Sequence, residues 1–97
     1  MIDLKKIRQI LRGNKLSLVA EFRVKELGIF GSYARGEQKK DSDIDILISF
    51  SDTPGFFNFL RLEEHLGKLL KKRVDLVMKG SLKPFIGRRV MREVVYV

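Results

Sequence analysis

Apolar side chains recur along this chain with two periods, near 3.6 and near 2, and the switches between them mark out its elements. Leu4, Ile7, Ile10 and Leu11 keep a helical spacing, with Asp3 placed to cap the start and Gly13-Asn14 to stop it. Leu16 to Phe22 reads as a second short helix, after which Val24 to Phe30 turns strand-like and ends on Gly31-Ser32. Ser32 to Arg35 opens a short helix broken at Gly36, and residues 37–42 form a polar loop. Asp43 to Phe50 then alternates as a strand does. Pro54-Gly55 introduces a long amphipathic helix from Phe56 to Leu70, expected to turn Phe56, Phe59, Leu60, Leu66, Leu69 and Leu70 toward a core. Lys71-Lys72-Arg73 suits its C-terminal end, where cations meet the helix dipole. Val74 to Met78 is a third strand, Pro84 opens a last helix over Phe85 to Arg92, and Val94 to Val97 is an apolar tail, an edge strand or a docking segment.

The order α-α-β-α-β-α-β-α predicts an α/β (α+β) fold, a small mixed sheet of three or four strands with helices packed on it. With 97 residues, the expectation is a single domain over 1–97. A content of 44% hydrophobic and 33% charged residues argues against disorder along the whole length. The absence of cysteine excludes a disulfide scaffold and a thiolate metal site. The first residues carry no signal-peptide core, and no apolar run approaches the ~20 residues needed to span a bilayer. A cytoplasmic protein without a membrane partner is therefore expected. The net charge of +8 favours anionic partners: nucleotides, nucleic acid or an acidic protein face.

Against that basic background, a few acidic residues stand out by their apolar neighbours. Asp43 and Asp45 are two apart in a strand, so both project to one face while Ile44, Ile46 and Ile48 take the other. Two carboxylates this close repel unless a cation lies between them, and carboxylate oxygens suit Mg²⁺. Asp75, in the run Val74-Asp75-Leu76-Val77, joins them if its strand lies alongside. Three carboxylates from adjacent strands can hold two Mg²⁺ ions roughly 3.5–4 Å apart, the clamp of an in-line phosphoryl displacement. The phosphate side is expected at Gly31-Ser32, where a strand ends, the chain turns and a helix begins. Backbone N–H groups and the helix dipole favour an anion there, and the small Gly31 permits close approach. The Ser32 hydroxyl adds a donor, and Arg35 lies one helical turn on.

Gly31-Ser32, ten intervening residues and Asp43-Ile44-Asp45 resemble the motif of the DNA polymerase β-type nucleotidyltransferase superfamily. The wider strings, residues 27–36 and 41–48, are similar to its minimal nucleotidyltransferase (MNT) branch, as is the ending from Ile86 to Val97. The resemblance implies the polymerase β-type fold and a Mg²⁺-dependent transfer of a nucleoside monophosphate from an NTP. Asp43 and Asp45 would bind the metal ions, and Asp75 would complete the catalytic metal site and help to deprotonate the acceptor. Gly31, Ser32 and Arg35 would hold the β- and γ-phosphates. Relatives of this size are commonly antitoxins paired with a HEPN-domain ribonuclease toxin. The resemblance implies AMP transfer from ATP to a tyrosine hydroxyl of that toxin. Larger relatives carry an additional helical domain that closes the site, so here the acceptor is expected from a partner or a second copy, in a hetero- or homo-oligomer.

Two rival readings belong beside this one. A non-catalytic antitoxin would neutralise by binding alone, or a basic module would bind RNA. Nucleic acid is the less favoured partner, because three carboxylates at one site give a cationic nucleic-acid binder nothing. A nucleotidyltransferase acting on a small molecule or RNA is the other rival. Lys39 and Lys40 are expected in a solvated loop, His65 on a helix surface, and Phe56, Phe57 and Phe59 packing their helix onto the sheet.

Overall fold

The computed structural model describes residues 2–97. The described elements are α1 (Leu4–Gly13), α2 (Lys15–Phe22), β1 (Val24–Phe30), α3 (Ser32–Arg35), β2 (Ile44–Phe50), α4 (Phe56–Leu70), β3 (Val74–Met78), a 3₁₀ turn (Lys79–Ser81), α5 (Pro84–Glu93) and β4 (Val95–Tyr96). The expected caps are present. The Asp3 carboxylate accepts the Lys6 N–H at 3.0 Å, and Pro84 occupies the first turn of α5, where its missing N–H costs nothing.

The sheet has the order β3-β2-β1-β4. β1 runs antiparallel to β2 and β4, whereas β2 and β3 are parallel, joined by the crossover helix α4. The apolar tail is thus resolved in favour of an edge strand: Val95 and Tyr96 pair with Ile29 and Gly28, and the Val97 N–H donates to the Leu27 carbonyl at 2.8 Å. At the opposite edge, the Glu63 carboxylate of α4 accepts the Leu76 N–H at 2.9 Å, covering one donor of β3 that would otherwise be free to pair.

Register decides which side chains reach the core. Ile44, Ile46 and Ile48 of β2 are buried with Ile29 and Leu27 of β1, Val74 and Leu76 of β3, and Ile7, Leu11, Leu18, Leu62 and Leu66 from the helices. A bulge between Val24 and Glu26 shifts parity by one, which is how Val24 joins Leu27 and Ile29 on the core face. The alternate residues of β2 point the other way. Leu47 is buried outside the main cluster, as is Val90 of α5. Opposite Leu47 in the ladder stands Gly28, where an added Cβ would come within 2.6 Å of Val94 Cγ2. Val94, at the end of α5, therefore lies against this second face of the sheet.

The inward stripe of α4 differs from the expected one. Leu62, Leu66 and Leu70 are buried, with Phe59 and Leu69 packed against the core, while Leu60 is exposed. Phe56 and Phe57 are 71% and 78% exposed and touch each other edge-on rather than the sheet. Of the three aromatics only Phe59 packs against the core, its ring edge-on to Phe50. His65 lies on the helix surface as expected, half-buried with its ring centroid 5.8 Å from that of Phe22.

Candidate functional site

Asp45 is the second residue of β2, held between Ile44 and Ile46, both fully buried. That burial fixes the strand's rotation and turns Asp45 to the opposite face. In the parallel ladder Asp45 stands directly beside Asp75, and in the antiparallel ladder beside Phe30, the residue before Gly31. Paired positions share a face, so Asp45 and Asp75 project together. Asp43 lies one step before β2 and continues the same alternation. The two ladders thus bring together Asp43, Asp45, Asp75 and the Gly31 turn from three separate stretches of sequence.

The electrostatics of this cluster are uncompensated. Asp45 is pushed up to about 6, first by desolvation and then by the charges of Asp75 and Asp43, with Arg35 opposing. The ion pairs formed among the described residues use none of the three aspartates. Lys72, a sequence neighbour of Asp75, donates instead to the Lys40 carbonyl at 2.6 Å. No three acidic groups among the described residues are drawn into a ready-made cage around one ion. Like charges repel in the absence of a cation, so an open cluster is the expected ground state. The donor set is carboxylate oxygen throughout, which fits a hard divalent cation such as Mg²⁺.

Gly31 is demanded twice over. Its backbone adopts φ 74° and ψ −152°, a region in which a side chain is strained, and an added Cβ would collide with the Asp45 carboxylate. The expected contribution of a helix dipole is small, because α3 spans four residues, a single turn. Two discrete donors lie at the turn instead: the Gly31 N–H and the Arg35 guanidinium. Ser32 begins α3 directly after Gly31 and is half-buried.

Those two donors share an acid that sequence reasoning missed. The Glu93 carboxylate accepts the Gly31 N–H at 2.5 Å and the Arg35 Nη1 at 3.1 Å through both of its oxygens. This contact is the chief cause of the upward shift of Arg35. Glu93 was overlooked because the last helix was expected to end at Arg92, and a glutamate after Arg88, Arg89 and Arg92 looks like charge balance. A signal was present nonetheless. Glu93 is the only acid after Asp75, and it ends α5, where the helix dipole disfavours a negative charge. Lys39 and Lys40 remain on the exposed loop and join none of these groups through the hydrogen bonds of their side chains.

Comparison with known proteins identifies the family. A family model described as a nucleotidyltransferase domain matches residues 4–97. The chain is similar to the protein adenylyltransferase MntA of Thermococcus cleftensis, 54% identical over 97 residues that cover 100% of this chain and 98% of that protein. Among solved structures, a protein assigned as a minimal nucleotidyltransferase superposes with a TM-score of 0.80 at 37% identity, covering 97% of this chain and 95% of the other. A chain in the complex of tri-AMPylated Shewanella oneidensis HEPN toxin with MNT antitoxin superposes with a TM-score of 0.61 at 26% identity, covering 95% and 66%. No described helix is long and apolar enough to cross a membrane. With the Gly31-Ser32 turn and the aspartates brought onto one sheet face, and with the family model spanning nearly the whole length, the chain belongs to the nucleotidyltransferase domain family.

Proposed function

We propose that this nucleotidyltransferase is a protein adenylyltransferase antitoxin, moving AMP from ATP to a tyrosine hydroxyl of a HEPN-domain toxin and so silencing it. The observation that carries the chemistry is the register of Asp45 beside Asp75 next to the Gly31 turn, with no ion-pair partner for either among the described residues. The choice of a protein acceptor rests on similarity to an adenylyltransferase along its whole length and to a chain of an AMPylated toxin complex. Asp43, Asp45 and Asp75 would hold Mg²⁺, which when bound supplies charge neutralisation along the triphosphate. The Gly31 N–H, the Ser32 hydroxyl and Arg35 hold the β- and γ-phosphates. The acceptor oxygen then attacks the α-phosphorus, the bond from that phosphorus to the bridging oxygen breaks, and pyrophosphate leaves. Asp75, exposed at the edge of the cluster, takes the acceptor proton. Positioning and charge carry most of such a reaction, so a site on a rigid sheet suits it.

Labelling with α-³²P-ATP, Mg²⁺ and the toxin encoded beside this protein tests the reading. Label on a toxin tyrosine, lost in the Asp43→Asn/Asp45→Asn double variant, is the expected result. A tight complex with no label from any NTP would overturn it and leave an antitoxin that acts by binding. Label on RNA or a small molecule, but not on the toxin, would leave the transferase and replace its acceptor.

A further inference from the structure

Glu93 occupies the place at which a phosphate is expected. Its carboxylate takes both donors at the turn, the Gly31 N–H and the Arg35 guanidinium. A carboxylate on these donors satisfies them as a phosphate would, with charge-assisted hydrogen bonds to an N–H and a guanidinium. We propose that Glu93 is a specificity-determining residue, an intramolecular anion that the incoming polyphosphate must displace. The inference rests on the proposed phosphate role of Gly31 and Arg35.

Three features favour a displaceable occupant over a permanent strut. The first is charge. Glu93 adds a further negative group to a cluster in which Asp43 and Asp75 already press on Asp45. Such an arrangement suits the nucleotide-free state and works against a bound polyphosphate. The second is anchoring. The backbone on either side of Glu93 is fixed without help from its side chain: the Val94 N–H donates to the Val90 carbonyl at 2.9 Å, and Val95 pairs with Ile29. Releasing the carboxylate therefore needs only side-chain rotation. The third is the absence of any gain from its own helix, since the C-terminal end of α5 repels a carboxylate and leaves the Gly31 and Arg35 contacts to hold it.

Displacement sets a condition on the ligand. An anion arriving alone must replace one negative group with another beside three aspartates. A polyphosphate that arrives with a divalent cation brings the charge which the aspartates lack. Glu93 thus biases the site toward metal-complexed triphosphate and against free anions, including pyrophosphate once its metal has gone.

Equilibrium binding to the whole chain separates the outcomes. The ligands are α,β-methylene-ATP with Mg²⁺ and metal-free pyrophosphate, and the proteins are wild type, Glu93→Gln and Arg35→Ala, each first checked for an unchanged melting profile. Glu93→Gln keeps an acceptor for Gly31 but removes the charge facing Arg35. It should tighten both ligands, by about tenfold for the nucleotide, the scale of one charge-assisted hydrogen bond. Metal-free pyrophosphate should gain more, so that the preference for the metal complex narrows. Arg35→Ala should weaken both. Weaker or unchanged binding in Glu93→Gln, with Arg35→Ala weakened as expected, would overturn the inference and make Glu93 a strut for the turn. Unchanged binding in Arg35→Ala would instead overturn the phosphate role itself, and the inference with it. If Glu93→Gln fails to fold, the Gly31 amide resonance of the wild type decides. It must move on addition of the Mg²⁺ nucleotide as the Glu93 bond is exchanged, and a stationary resonance would refute displacement.

Discussion

The two faces of strand β2 carry neighbouring residues into opposite physical situations. On one face Ile44, Ile46 and Ile48 are fully enclosed, each apolar surface matched by another. On the other, Asp45 sits between them with Asp75 alongside, its ionisation opposed by burial and by its neighbours. The first face holds the fold, and its satisfied packing gives the second its fixed position. The strand can afford an electrostatically unsatisfied Asp45 only because its rotation is set by isoleucines that have nowhere else to go. Burial and chemistry are thus separated by one residue in sequence and by the thickness of a sheet in space.

Paired substitutions on adjacent residues break this comparison most sharply. Asp45→Asn should lower AMP transfer about a thousandfold or more, because it removes charge from the proposed metal site. The same change should leave the urea midpoint of the metal-free protein unchanged or higher, since it relieves repulsion with Asp75 and Asp43. Ile46→Ala should do the reverse. It should cost about 2–5 kcal/mol of stability through the cavity left in the core, while the folded fraction keeps its turnover. Urea titrations and rates normalised to folded protein check both arms. A large loss of stability in Asp45→Asn would show that the acidic face is structural.

Gly31→Ala should have a smaller effect that falls on both faces. The positive φ alone costs about 1–3 kcal/mol for a residue with a side chain. The new methyl group must also push the Asp45 carboxylate aside, because the two would occupy the same space. Stability and transfer should therefore fall together, unlike in either β2 variant. A melting curve and a labelling rate from one preparation are sufficient. A Gly31→Ala protein with unchanged melting would mean that the turn relaxes at no cost.

Much of this was legible in sequence, for identifiable reasons. The spacing of Ile44, Ile46 and Ile48 has a single satisfactory burial solution, so the opposite orientation of Asp43 and Asp45 followed from alternation alone. The Gly31-Ser32 turn and a strand carrying Asp75 also came out as expected, and of the two readings of the chain end the edge strand is the one that holds. What was hidden depends on geometry between distant segments. Whether Phe56 packs inward depends on what lies opposite the first turn of α4, which periodicity does not encode. The bulge near Val24 shows in the sequence only as a break in alternation between Val24 and Leu27, too slight a signal to be read as a bulge alone. Glu93 meets Gly31 across a separation of 62 residues, a contact that the pairing of β4 with β1 makes possible.

The smallest effect separates the two faces by pH. Asp45 has a folded pKa raised from 3.8 to about 6, so its protonated form is favoured by folding. The stability it contributes is complete below its unfolded value of 3.8 and is lost as pH rises through about 6. Asp45 is partly exposed, and after allowance for solvent screening the loss is of the order of 1 kcal/mol. Other carboxylates move in the opposite sense. Glu26, lowered by its hydrogen bond with Ser49, loses its contribution as pH falls. The informative quantity is therefore the difference between wild type and Asp45→Asn, melted in EDTA from about pH 4 to about pH 7.5, a window spanning both Asp45 values. Wild type should lose ground relative to the variant as pH rises through about 6. With saturating Mg²⁺ the sign should reverse, because a bound cation favours the ionised carboxylate and its proton must leave first. A flat difference in EDTA would mean that the strain on Asp45 is relieved by water. A reversal that is absent with Mg²⁺ would mean that the acidic face does not bind the ion at all, and the contrast between the two faces of β2 would then be one of solvation rather than of function.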